Sequence, residues 1–365
     1  MSSKTVLVIG ASGLVGYAAM QHFAAQPDTR VIAVSRRRPS DTFAADFVSL
    51  DLQDRVRCSD VFASMADVTH VIYAALYEKD GLVAGWREDD QIAVNAEMLR
   101  NVLDPLLGSA GRLKHISLLQ GTKAYGSHVR AMRYPAREGR SEARDIANFY
   151  WQQEDMIREY QQGRDWAFSI FRPVLIVGFS LGAAMNLIPA IGVYAAMLKE
   201  RGEPLYYPGG PARVSQAVDA GLLARAMAWA GDTDAARNET YNVANGDVFA
   251  WPHVWPALAR QFGMEPGGDR AMSLAGEIQP NEALWQQIVK RHDLRAPDLK
   301  SYVGLSFEYA DFQMGYGRAT PAPAAFSSTV KLMQAGFHEV MDTEDMLVGW
   351  VRQFQERRLL PHQGR

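Results

Sequence analysis

TVLVIGASGLVG, residues 5–16, decides how the rest of the chain is read. Val6, Leu7, Val8 and Ile9 form an unbroken apolar run, the pattern of a strand buried on both faces of a parallel sheet. Gly10, Gly13 and Gly16 follow at three-residue spacing, and YAAMQHFAAQ then reads as a helix. Strand, glycine turn and helix in this order make an anion cradle. Glycine lets the backbone approach a pyrophosphate, and a helix opening near Gly13 aims its first N–H groups at that anion. The stretch therefore predicts a dinucleotide site.

Composition narrows the rest. At 365 residues the chain can bury a large core as one elaborate α/β domain or as two domains. A formal net charge of −3 and 22% charged residues leave no global basic field, so nucleic acid and anionic membranes are not expected partners. Cys58 is the only cysteine, which excludes an internal disulfide and suits a reducing compartment such as the cytoplasm. No Cys and His cluster suggests a metal. Residues 173–198, PVLIVGFSLGAAMNLIPAIGVYAAML, carry no charge and are long enough to span a bilayer. Pro173, Gly178, Ser180, Gly182, Asn186 and Pro189 interrupt them, so they read instead as a buried strand, a loop and a helix.

Strand and helix signals alternate through the first half. Strands are expected at 31–34, 47–50, 71–74, 115–119 and 168–177, and helices at 17–25, 95–107 and 145–162. That alternation predicts an α/β fold with a doubly wound parallel sheet. After Gly178 the rhythm changes to a loop and helix, a turn-rich 204–211, a helix at 218–229, and YNVANGDV as a strand returning to the sheet. HVWPALARQF, EALWQQIVKR and STVKLMQAG are the clearest helices beyond Trp251. The expected division is a dinucleotide-binding domain at 1–178, to which 213–247 return, and a mainly helical substrate-binding lid at 179–212 and 248–365.

Where a 2′-hydroxyl is held, an acidic residue usually stands about 20 positions past the glycine loop. VSRRRP stands there in this chain. Arg36 and Arg37 cannot accept a hydrogen bond from a hydroxyl, but their guanidinium forks match a phosphate, which favours NADPH over NADH. Asp51, after the third strand, is placed to meet the adenine edge or to make a plain turn. The G-x-x-G-x-x-G spacing is similar to that of short-chain dehydrogenases/reductases. Those enzymes carry Tyr-x-x-x-Lys on one helix, yet no tyrosine here is followed four residues later by lysine. Lys123 in LLQGTKAYG and Tyr150 in NFYWQQEDMI lie past or beside the carboxyl ends of strands, where ligands enter an open α/β sheet.

GASGLVG, SRR, NAEMLRNVL, LKHISLLQGTKAYG, NFYWQQED, FRPVLIVGFSLGAAMN and YNVANGDVFAWPHVWPALARQFG together resemble the progesterone 5β-reductase and iridoid synthase family, atypical extended short-chain reductases. The resemblance covers nearly the whole chain. It implies that Lys123 and Tyr150 replace the usual Tyr-x-x-x-Lys pair and that the reaction is NADPH-dependent reduction of a carbon–carbon double bond conjugated to a carbonyl. Three departures from the family pattern, Trp151, Ala124 and GFSLGAAMN, fall on the substrate side. Fold and resemblance together give the expected cofactor shell: Gly10, Ser12, Gly13, Leu14, Val15, Gly16, Ser35, Arg36, Arg37, Asp51, Leu52, Ala74, Lys123, Tyr150, Pro173 and Ile176.

These parts suit the chemistry. A hydride delivered β to a carbonyl leaves negative charge on the enolate oxygen, which a phenol donor such as Tyr150 stabilises. Lys123 would hold the nicotinamide ribose and favour the ionised phenol. Residues 179–197, with Trp86, Trp251 and Trp255, are candidates for an apolar wall around a small enone or enal, and equally for ordinary core. A carbonyl reductase using the same donors and a cofactor-sensing protein without turnover remain open, as does a homodimer.

Overall fold

The computed structural model describes residues 4–79 and 88–362. They fall into two units. The first comprises the described residues of Met1–Val174, with Ala220–Ala244 and Ala325–Glu339, and the second Leu175–Asp219, Asn245–Ala324 and the described part of Val340–Arg365.

In the first unit, strands β1 (Lys4–Ile9), β2 (Thr29–Ser35), β3 (Asp46–Ser49), β4 (His70–Tyr73), β5 (His115–Leu119) and β6 (Ala167–Pro173) join a returning strand, Glu239–Val243, in one seven-stranded sheet. Every pair is parallel, and the spatial order is returning strand, β6, β5, β4, β1, β2, β3. The chain runs outward from β1 on one side and then, from β4, on the other. This reversal leaves a crevice at the carboxyl ends of β1 and β4, the place where a doubly wound sheet offers space for a ligand. Helices Leu14–Ala24, Arg55–Ala63, Asp89–Ser109, Phe149–Gln161 and Ala220–Gly231 make the crossovers. Val6, Leu7, Val8 and Ile9 are all inaccessible to solvent, as the apolar run requires. Cys58 is buried too, and desolvation, followed by Asp54 and Asp51, pushes its thiol up to about 11, so it stays protonated and inert.

In the second unit Leu175–Val177 pairs with Ala217–Asp219 and Leu205–Tyr207 with Pro266–Asp269. Helix Leu187–Glu200 is its centre, packed on Ser306–Met314, Glu282–Arg291 and Thr343–Glu356. Among the described residues no helix is long and apolar enough to cross a membrane.

Several elements differ from the sequence reading. The strand expected at 168–177 is two strands in two units: Pro173 has no N–H to extend the ladder, and past Val174 the chain pairs with Ala217–Asp219 instead. The helix expected from 145 begins at Phe149, because the Asn148 side chain accepts from the Tyr150 N–H and caps it there. The helix expected from 218 begins at Ala220, its predecessors being a strand. Turn-rich 204–211 contains the strand Leu205–Tyr207. STVKLMQAG forms only Val330–Gln334, and it packs on the returning strand in the first unit rather than with the C-terminal helices. Residues 175–178, 213–219 and 245–247 likewise fall in the second unit, whereas the sequence places 1–178 and 213–247 together.

Candidate active site

The glycine turn is shaped by backbone against backbone. Gly10 has φ +87°, in the left-handed region, and a Cβ there would lie 2.7 Å from the Ala74 carbonyl and the Ala75 nitrogen at the end of β4. A Cβ on Gly16 would lie 2.1 Å from the Gly10 carbonyl oxygen. Gly10 and Ala11 donate their N–H groups to Val34, which ties the turn to β2. Helix Leu14–Ala24 then starts at Gly13 with no side-chain cap on its first turn. The result is a bare helix N-terminus and glycine backbone facing the crevice at the sheet's reversal, a cradle for an anion. Ser12, Gly13 and Leu14 are half-buried along it, and Val15 and Gly16 are buried behind them.

At the end of β2, Ser35 is buried and its hydroxyl donates to the Arg37 carbonyl, while Ser49 donates to the Arg36 carbonyl. These bonds fix the turn that carries Arg36 and Arg37, both exposed. The third arginine is diverted: Arg38 stacks over Phe47, 5.2 Å from the ring centre. Asp51 accepts from the Gln53 N–H at 3.1 Å, a turn contact, and the Leu52 carbonyl is held by the Asn101 side chain. Ala74 follows β4 and is half-buried, and Pro173 closes β6 at the same edge. Ile176 is carried by the second unit, paired with Val218.

Lys123 and Tyr150 come from different elements, and at this corner the turn that carries the lysine packs on the tyrosine. Lys123 sits in the 3-10 turn Thr122–Tyr125 after β5, and Tyr150 in the first turn of Phe149–Gln161. The Tyr150 hydroxyl lies 3.2 Å from the position a Cβ on Gly121 would take, so a side chain there would crowd the phenol. Ala124, next to the lysine, shares a buried cluster with Tyr150, Phe149, Trp151 and Ile92. Burial pulls the Lys123 ammonium down to about 8, against the opposing charge of Glu78, whose carboxylate is 3.7 Å away.

Four supporting residues escaped the sequence reading. Glu78 is one, and Gln91, which donates to its carboxylate at 2.8 Å, is another. The others, Gln120 and Arg172, hold Tyr150 from behind. Gln120 donates to the Tyr150 carbonyl at 3.2 Å and to Glu154 at 3.0 Å, and accepts from Arg172 at 2.7 Å. Arg172 is 1% exposed and also donates to Glu142, Glu154 and the Tyr125 hydroxyl. Against the burial that would raise it, Gln120, Arg172 and Arg158 hold the Glu154 carboxyl below its ordinary range. A charged residue inside FSIFRPVLIV was the one visible signal of this network, since arginine is almost never fully buried unpaired.

The expected substrate wall is only partly available. Every residue from Leu187 to Leu198 is buried as core of the second unit, leaving 181–185 half-exposed. Trp251 and Trp255 are each 2% exposed, and Trp86 lies outside the described residues.

The model of the PRISE-like Rossmann-fold domain matches residues 51–315, most of the chain. The chain belongs to the PRISE-like Rossmann-fold family. The resemblance seen in its motifs, to progesterone 5β-reductase and iridoid synthase, holds over nearly the full length. It is 30% identical to 3-oxo-Delta(4,5)-steroid 5-beta-reductase of Arabidopsis thaliana over 379 residues, covering 98% of this chain and 93% of the relative. It is 29% identical to (S)-8-oxocitronellyl enol synthase of Catharanthus roseus over 383 residues, covering 99% and 93%. Among solved structures it is similar in fold to UDP-glucose 4-epimerase of Bifidobacterium longum, with TM-score 0.67 at 16% identity, covering 98% and 99% of the two chains. A second UDP-glucose 4-epimerase, from Brucella ovis, has TM-score 0.65 at 18% identity, covering 96% and 98%. The family is thus a reductase family on a Rossmann scaffold shared with epimerases.

Proposed function

We propose that this family member is an NADPH-dependent reductase of carbon–carbon double bonds conjugated to a carbonyl. The observation that carries the reading is the corner itself. A phenol and an ammonium, carried by two elements that pack on each other, stand on the same sheet edge as a glycine turn in which Gly10 and Gly16 leave no room for a Cβ. The relatives' names, a Delta(4,5)-steroid 5-beta-reductase and an oxocitronellyl enol synthase, support the enone class. The cradle fits a dinucleotide: Gly10, Ser12, Gly13 and the bare helix start would hold the pyrophosphate, and Arg36 and Arg37 a 2′-phosphate. When bound, NADPH would supply the hydride for the β-carbon of the enone, and the enolate left behind takes its α-carbon proton from water to give the saturated ketone.

This chain's residues do the rest. Tyr150 donates a hydrogen bond to the carbonyl oxygen as it becomes an enolate, where a preorganised donor counts most. Its backbone is held at both ends, by Asn148 at the N–H and by Gln120 at the carbonyl, so the phenol is delivered from a fixed point. Lys123 holds the ribose and, as a nearby cation, makes the phenol O–H a stronger donor to the developing enolate.

The decisive experiment uses NADPH carrying deuterium at the transferable position with 2-cyclohexenone. The label is expected at the carbon β to a retained ketone. Label on a carbinol carbon with the double bond intact, across a panel of enones and enals, would make the protein a carbonyl reductase.

A further inference from the structure

Glu78 is an acidic residue that the proposed chemistry leaves without a task. It follows β4, its side chain is 8% exposed, and it stands 3.7 Å from the Lys123 ammonium. It is also braced. Gln91, 1% exposed on helix Asp89–Ser109, donates from Nε2 to one carboxylate oxygen at 2.8 Å and accepts from the Lys79 N–H at 3.3 Å through its own oxygen. One turn further along, the Asn95 side chain accepts from the Tyr77 N–H and donates to the Tyr77 carbonyl, and the Gln153 side chain in turn donates to the Asn95 carbonyl. The stretch that carries Glu78 is thus fastened to helix Asp89–Ser109, which Gln153 ties in turn to the helix that carries Tyr150.

We propose that Glu78 is a positioning residue that keeps the Lys123 ammonium charged and in place, and that this one ion pair sets how NADPH affinity depends on pH. The inference rests on the reading of Lys123 as a cofactor-binding group. The segment after β4 sets Glu78 against the lysine, helix Phe149–Gln161 packs Tyr150 on the neighbouring Ala124, and helix Asp89–Ser109 reaches the pair through the neutral Gln91, which donates to Glu78. The nearby carboxylates of Glu88 and Asp90 are engaged by Lys79 on the exposed side. Among these described groups Glu78 is the carboxylate set against the ammonium.

The sign follows from the two opposing influences. Desolvation disfavours the charged lysine and Glu78 restores it, so the ammonium persists up to about 8 and is lost as pH rises through that value. With Glu78 made neutral, the support it gives the ammonium against burial is gone and the loss comes at lower pH. A residue with a merely structural role would leave that titration where it is.

The test is a lysine titration by NMR on the full chain without nucleotide, after reductive methylation with a carbon-13 label, with Lys123→Arg identifying the signal. Glu78→Gln is expected to lower the titration by roughly one unit or more, a tenfold change in proton affinity. The alkaline fall in NADPH affinity, followed by fluorescence, is expected to move with it. Gln91→Leu keeps the carboxylate but removes its brace and is expected to give an intermediate value, which also serves if Glu78→Gln does not fold. A Lys123 titration unmoved by both substitutions overturns the proposal, as does NADPH affinity that stays flat from neutral to alkaline pH. The labelled cyclohexenone assay decides separately whether the reductase reading stands.

Discussion

The glycine turn after β1 and the Lys123–Tyr150 corner after β5 share one edge of one sheet but are held together by different forces. The turn is backbone packed on backbone: Gly16 against the Gly10 carbonyl, Gly10 against Ala74 and Ala75. The corner is a chain of side-chain hydrogen bonds from Arg172 through Gln120 to Tyr150 and from Gln91 to Glu78. A contact between backbones tolerates no added atom but needs no partner elsewhere. A side-chain network tolerates some change of shape but fails when a charged member is removed, because what remains is a buried charge without its counterion.

That contrast can be broken most forcefully at Arg172. Arg172→Met takes the counterion from Glu142 and the donor from Gln120 and Tyr125, leaving Glu154 with Arg144 and Arg158, and is expected to cost about 3–5 kcal/mol of stability. Urea denaturation measures it, and a midpoint unchanged from the parent would reduce the network to decoration. Next in size is Tyr150→Phe, expected to lower kcat by roughly 100- to 1000-fold with NADPH affinity nearly unchanged. Steady-state kinetics with a parallel binding titration checks it; loss of affinity with kcat intact would move Tyr150 from catalysis to cofactor binding.

The turn gives the smaller effects. Gly16→Ala forces the helix start away from Gly10 and is expected to cost about 1–3 kcal/mol, read as weaker NADPH binding and a lower Tm. Parent-like binding would show that the turn can relax and that the contrast is false. Smallest is Arg36→Ala with Arg37→Ala, expected to erase a preference for NADPH over NADH of more than tenfold, about 1.4 kcal/mol. Equal binding of both nucleotides by the parent protein would remove the arginines from the site.

The same contrast explains what could be read from residues alone. Gly10, Gly13 and Gly16 announce themselves because a backbone-built site is written in consecutive positions, and β1 to β5 follow from apolar runs that a parallel sheet must bury. Lys123 and Tyr150 could be located by motif. Glu78, Gln91, Gln120 and Arg172 could not be placed, since residues separated by tens of positions become neighbours only once the strands pair. The break inside 168–177 is hidden in the sequence for a similar reason. Its apolar run continues through Val174, and only the partner strands show that Leu175–Val177 leaves the sheet.

The returning strand has a consequence for how the molecule is made. Glu239–Val243 covers the outer edge of β6, and Val330–Gln334 packs on that strand, yet the second unit's Leu175–Asp219 and Asn245–Ala324 are synthesised between these pieces. On the ribosome, β6 therefore emerges with an edge of unpaired N–H and C=O groups and keeps it until the residues that seal it have followed. Such an edge is a template for pairing with a neighbouring nascent chain. A fragment ending at Val174 would carry the glycine turn, Lys123 and Tyr150, yet retain that open edge permanently; fragments cut by function alone should aggregate where the full chain folds.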